Sequence, residues 1–141
     1  AGRRINDHMG TYIADTVVKL MTQKRIHVVG SSILILGLAF KENCPDLRNT
    51  RVIDIVNELK SYHVNIHIHD PWVSAEEAHE EYGINLVAAP EKNCYDAIIL
   101  CVAHEQFKQL GVDRIRELGK SQHVLYDVKY VLGKDETDGR L

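Results

Sequence analysis

Residues 32–50 read SILILGLAFKENCPDLRNT. Ser32 to Leu36 is a β-branched and Leu run in which no polar residue alternates, as in a strand covered on both faces of a parallel sheet. Gly37 then breaks the run. The connection from Gly37 to the next helical stripe is longer than the roughly 2–6 residues of a usual βα loop. Long loops at the carboxyl edge of such a sheet are where ligands bind. The stripe itself is Val52, Ile55, Val56 and Leu59, spaced by three and four, which predicts a helix starting near Asn49 or Thr50.

The same alternation continues outward. Val64 to His69 is a second strand, ended by Asp70-Pro71, where Asp70 is read as the cap of the Pro71-Trp72 turn. Ser74 and Glu77 form a capping box for a helix that stops at Gly83. Ile84 to Val87 reads as a short strand and Asp96 to Val102 as a buried one. Short helical patterns follow at Glu105 to Leu110 and Asp113 to Leu118, then a last strand at His123 to Asp127. Upstream, Ile5, Met9, Tyr12, Ile13, Val17, Leu20 and Met21 predict an amphipathic helix over residues 3–23. It serves either as a core helix of this domain or as a connecting, dimer-forming helix. Residues 24–30 (KRIHVVG) read as loop or short strand.

Alternating strands and helices imply parallel pairing with right-handed crossovers. The expected fold is therefore α/β: a three-layer, Rossmann-like parallel sheet of about five strands, preceded by a long N-terminal helix. Residues 1–25 are assigned to that helix, 26–132 to the α/β domain and 133–141 to a polar, loosely held tail. The chain opens on Ala1 inside a helical pattern, so it is expected to be a piece of a longer protein.

Composition narrows the class. With 141 residues, 45% hydrophobic and 26% charged, the chain is sized and balanced for one soluble domain. A net charge of −3 speaks against non-specific nucleic-acid binding. The apolar runs Ile33–Phe40 and Ala97–Ala103 fall far short of the ~20 residues that span a bilayer, so no membrane partner is expected. Cys44, Cys94 and Cys101 are odd in number and unrelated in spacing, as free thiols in a reducing compartment are.

The long loop offers Phe40 beside Lys41, then Arg48 close to a helix start. An aromatic face stacks on a base, cations neutralise phosphates, and a helix N-terminus adds N–H donors and a positive dipole end. The competing reading packs Phe40 into the core and leaves Lys41 and Arg48 as solvated charges. Lys129 leaves the last strand at the same edge and can converge with Lys41 on one anion. With a single glycine the loop is no G-x-G-x-x-G fingerprint, so a self-sufficient NAD-binding half is not expected. Cys44 lies near Lys41 and Arg48, which favours a thiolate, but no neighbouring His base is identifiable, and no catalytic residue is assigned to the chain. His67 and His69 share a strand face as zinc ligands can, but further ligands are not evident at nearby spacing, and no metal is expected.

GLAFKENCPDLRNT (37–50), YDAIILCV (95–102) and YDVKYVL (126–132) together resemble the C-terminal, UDP-binding domain of the UDP-glucose/GDP-mannose dehydrogenase family. GRRINDHMGTYIADTVVKLM (2–21) resembles the tail of that family's central connecting helix. ENCPDLRNTR (42–51) with HDPWV (69–73) is most similar to the branch that oxidises UDP-N-acetylhexosamines for bacterial surface polysaccharides. The resemblance implies a cytoplasmic enzyme that oxidises a sugar-nucleotide's C6 alcohol to a carboxylate with NAD, through covalent intermediates on a cysteine. Cys44, Cys94 and Cys101 do not match that cysteine. The resemblance also implies that Lys41 and Lys129 contact the UDP-sugar, to which the loop reading adds Phe40, and that Arg48 reaches NAD held mainly by an N-terminal domain. Lys129 stands where many members carry arginine, keeping the charge without the bidentate fork. A homodimer through the first helix is implied for the whole enzyme. The alternative is a stand-alone, non-catalytic nucleotide-binding or dimerisation module. A receiver-like domain would need a cluster of acids at the first strand end, where Gly37-Leu38 stand.

Overall fold

Ile33 and Ile35 point to one face of the sheet and Leu34 and Leu36 to the other, and both pairs are buried. The strand to which they belong, β1 (Ser32–Leu36), is therefore central, as its unbroken apolar run requires. The computed structural model describes the chain from Gly2 and its side chains from His8; Ile5 of the expected stripe lies outside the described side chains. The elements run α1 (Gly2–Gln23), β1, α2 (Val52–Lys60), β2 (Asn65–His69), α3 (Ala75–Tyr82), β3 (Tyr95–Leu100), α4 (Glu105–Arg116), β4 (Gly119–Asp127), a 3-10 turn at Lys134–Glu136 and β5 (Gly139–Arg140). All strand pairs are parallel, in the order β2-β1-β3-β4-β5. The order reverses between β1 and β3, so a crevice is expected at their carboxyl ends.

Two cores flank the sheet. Ile13, Val17 and Met21 of α1 and Ile55, Val56 and Leu59 of α2 pack with Ile33, Ile35, Ala97, Ile99, Val124 and Tyr126. Phe107 and Ile115 of α4 pack on the opposite face with Leu34, Leu36, Ile98, Leu100 and Leu125. Helix α1 is thus a core helix of this unit. A Cβ on Gly10 would lie 2.5 Å from the Cβ of Asp54, so α1 and α2 cross almost in backbone contact. Residues 24–30 form turns and loop rather than a strand. Ser74 caps α3 by accepting the Glu77 N–H at 3.3 Å, and Gly83 ends it in the left-handed region at φ 67°. Gly111, at φ 80°, splits α4 into the two short helical pieces that the pattern indicates.

Two expectations are corrected. Ile84 to Val87 is not a strand; it makes the single bridge Ile68↔Leu86 on the β2 edge. Only Ile84 of the four is buried, so the run has no second face to pair and pack. The segment expected to be loosely held instead supplies the fifth strand. Asp138 anchors it: its carboxylate accepts hydrogen bonds from Lys24 Nζ (2.8 Å), Arg116 Nη1 (3.3 Å) and the Leu125 N–H (2.7 Å). Burial pushes that carboxyl up, yet the Lys24 and Leu125 hydrogen bonds and the two cations hold it below the usual aspartate range.

Candidate functional site

At the carboxyl edge of β1, β3 and β4 lies a cleft of about 380 Å³, closed on one side by Met9, Gly10 and Ile13 of α1. Its volume is within the range of small-molecule sites. The loop after β1 enters it with Phe40 and Lys41, the loop after β3 with Cys101 to Ala103, and the exit of β4 with Val128 and Lys129. Asn49 to Val52 also line it, so α2 aims its N-terminal end, the positive end of its dipole, into the cleft.

Each wall has a local cause. Gly37 sits at φ 102° and allows the β1 exit to press on Val102, where a Cβ would fall 2.6 Å from the Val102 Cβ. The loop is then folded on itself: Phe40 N–H donates to Asp46 O (2.7 Å) and Thr50 Oγ1 to Leu38 O (2.7 Å). Phe40 is left 54% exposed, so its ring is a surface rather than a core plug. At the β4 exit, the buried carboxylate of Asp127 accepts the N–H groups of Val131 (3.0 Å) and Leu132 (2.8 Å). This closes the turn that carries Lys129. Tyr130 in that turn is in the left-handed region at φ 57°, and the Arg140 guanidinium lies 4.2 Å from its ring centre.

Phe40, Lys41 and Lys129 therefore line one cleft, while Arg48 stands outside it. The Arg48 guanidinium clasps Asp46 through Nε and Nη2, both at 3.1 Å, on a side chain that is 82% exposed. Those bonds hold the Asp46 carboxyl below its ordinary value and the Arg48 guanidinium above its own. Cys101 reaches the cleft, but burial pushes its thiol up to about 12, so it rests as a thiol. His67 Nδ1 pairs with the Tyr95 hydroxyl (2.9 Å) and His69 Nδ1 with Val87 O (2.9 Å). No group of three or more His, Cys, Asp or Glu among the described residues is arranged to hold a metal. No described helix is long and apolar enough to cross a membrane.

The sequence reading missed His104 and underrated Asp70. Asp70 caps the Trp72 turn as expected, its Oδ1 accepting the Trp72 N–H at 2.8 Å, but its Oδ2 also takes three further donors. These are Leu38 N–H (2.7 Å), Ala39 N–H (2.9 Å) and His104 Nε2 (2.9 Å). Burial pushes this carboxyl up, and the His104 and backbone hydrogen bonds outweigh it, so it stays below the usual range. The pair is separated by 34 residues, so no local spacing reveals it. The one available signal was a histidine at the carboxyl end of an apolar strand.

Over all 141 residues the chain is 57% identical to the UDP-N-acetyl-D-glucosamine 6-dehydrogenase of Pseudomonas aeruginosa and spans 33% of that protein. It is 56% identical to the protein of the same name from Salmonella typhi, again over 33% of its length. The chain thus spans about a third of the curated relatives it matches. A solved NDP-N-acetyl-D-galactosaminuronic acid dehydrogenase from Methanosarcina mazei Go1 superposes with a TM-score of 0.83 at 25% identity, covering 95% of this chain and 28% of that one. Residues 34–134 match the family model described as the UDP-glucose/GDP-mannose dehydrogenase family, UDP binding domain. That match covers more than half of the chain, which therefore belongs to the UDP-glucose/GDP-mannose dehydrogenase family as its UDP binding domain.

Proposed function

We propose that the cleft holds the UDP part of a nucleotide sugar within an NAD-dependent 6-dehydrogenase, which oxidises the C6 alcohol of a UDP-N-acetylhexosamine, or of UDP-glucose, to the uronic acid. One observation carries this: Phe40, Lys41 and Lys129 converge on a single cleft at a helix N-terminus. The whole-chain identity to named UDP-N-acetyl-D-glucosamine 6-dehydrogenases supports the choice of sugar. Phe40 offers its ring to the base, and Lys41 and Lys129 neutralise the diphosphate with help from the α2 N-terminus. The role is to fix the nucleotide, so that remote binding energy serves a reaction elsewhere in the enzyme.

NAD, when bound, takes up the electrons of the oxidation. The residues here do not form a second dinucleotide site, because the single glycine after β1 is pressed on Val102 rather than open to a pyrophosphate. We assign NAD to the rest of the enzyme, with the exposed Arg48 reaching toward it. We also place a homodimer contact on α1, where Met9 and Tyr12 are exposed, and the enzyme in the cytoplasm, where three free thiols stay reduced.

Two measurements test the reading. In the full-length enzyme, Lys41→Ala is expected to weaken UDP binding about 10-fold or more, the worth of one charge-assisted contact, and to leave NAD affinity unchanged. UDP affinity equal to wild type would overturn the site. The 141-residue chain alone, given UDP-sugar and NAD, is expected to produce no rise in NADH absorbance. A rise would overturn the assignment of NAD to the rest of the enzyme.

A further inference from the structure

His104 is fully buried, with its ring beside those of Trp72 (ring centres 6.3 Å apart) and Phe107 (5.5 Å). Its two nitrogens have different work. Asp70 Oδ2 is an acceptor, so Nε2 donates to it at 2.9 Å. Nδ1 then holds the lone pair, which accepts the Asn43 N–H at 2.9 Å. Asn43 in turn accepts the Glu105 N–H on its Oδ1 at 2.9 Å, from a backbone in the left-handed region (φ 52°) that asparagine tolerates. Asp70 holds the N–H groups of Leu38 and Ala39 at the other end. Phe40 and Lys41 stand between these two anchor points.

A buried carboxylate–imidazole pair is a costly way to hold two loops together, and well-packed apolar side chains would hold them as firmly. What the polar cluster adds is direction. Its bonds end on particular backbone groups at residues 38, 39 and 43, so the path of the intervening chain is set to within hydrogen-bond tolerance.

We infer that the buried Asp70–His104 pair, acting through Asn43, positions Phe40 and Lys41 against the nucleotide; the inference rests on the reading of the cleft as the UDP site. Asp70, His104 and Asn43 are positioning residues. They do not touch the ligand, and their effect on binding passes through Lys41 and Phe40.

The test is a double-mutant cycle in the full-length enzyme, with UDP binding measured by calorimetry for wild type, Lys41→Ala, His104→Leu and the pair. His104→Leu is expected to weaken UDP about 10-fold, since small misplacements of a binding group cost that much or more. The double variant should be no more than about twofold weaker than the weaker single, because coupled residues do not add. His104→Gln, whose amide can donate to Asp70 and accept from Asn43, should recover affinity to within about threefold of wild type. Fully additive losses, or no rescue by glutamine, would overturn the positioning role.

Should His104→Leu fail to fold, Asn43→Gly keeps the left-handed backbone and removes only the bond to Glu105. It is expected to weaken UDP about threefold with little change in thermal midpoint, the worth of one neutral hydrogen bond. Unchanged UDP affinity in that variant would overturn the inference. If Lys41→Ala weakens UDP and both loop variants do not, the positioning role alone falls. If Lys41→Ala has no effect, the UDP site falls and the positioning role falls with it.

Discussion

Gly37 shows how little freedom the β1 exit has. It combines φ 102° with a Cβ position 2.6 Å from the Val102 side chain and 2.8 Å from the Val102 backbone nitrogen. A flexible side chain could move aside; a buried backbone nitrogen two residues past β3 does so less readily. Gly37→Ala therefore meets both a conformational and a steric penalty, and is expected to cost about 2–4 kcal/mol. The drop should be read from the denaturant midpoint, and a loss below about 1 kcal/mol would show that the loop relaxes freely. At this scale the legible residues were those whose position along a strand carried the meaning. Phe40, Lys41 and Lys129 follow strand ends, and strand ends were readable. Arg48 was read from its closeness to a helix start, yet its guanidinium is engaged by Asp46 two residues away. His104 was not legible, because its meaning lies in partners just past β2 and on the β1 loop.

Elements were readable in proportion to how local their stabilisation is. Helix α3 announced itself through Ser74, Glu77 and Gly83, since cap and stop act within a few residues of the helix they bound. The β1 run was readable for a related reason, as burial on both faces leaves its mark on every residue. Strand β5 is the opposite case. It has two residues, no periodicity, and a hold that comes from Lys24, Arg116 and Leu125 closing on Asp138. An isolated edge pair of that length carries no pattern. Asp138→Asn keeps the shape and removes the charge that both cations face, so it should destabilise the protein by about 1–3 kcal/mol. Hydrogen exchange should speed up most at Gly139 to Leu141, where the Leu141 N–H donates to Asp127 O. Exchange there equal to wild type would mean that backbone pairing alone retains the strand.

For the whole molecule, the alternation of strand and helix was enough to predict a parallel three-layer sheet, and the place where its strand order reverses is where the cleft lies. The same interior sets the pH range over which the fold holds. Asp70 and Asp138 lie below the ordinary aspartate value of 3.8 when folded. As pH falls through about 4 the unfolded chain takes up protons before the folded one, so stability present above that pH is lost on acidification. Cys101 and Tyr126 are displaced the other way: burial raises both to about 12, from 9.0 and 10.0. Above about pH 9 the unfolded chain releases those protons first, so the stability they contribute is present below that pH and declines as pH rises toward their folded values. Urea midpoints measured from acid to alkaline pH should therefore form a plateau bounded near pH 5 and pH 9. Asp70→Asn should lower the plateau and flatten its acid side, and Cys101→Ala should flatten its alkaline side at the cost of a small cavity. An acid limb as steep in Asp70→Asn as in wild type would show that the carboxylate beneath the β1 loop is not what acid disrupts, and that the clamp on Leu38 and Ala39 survives its protonation.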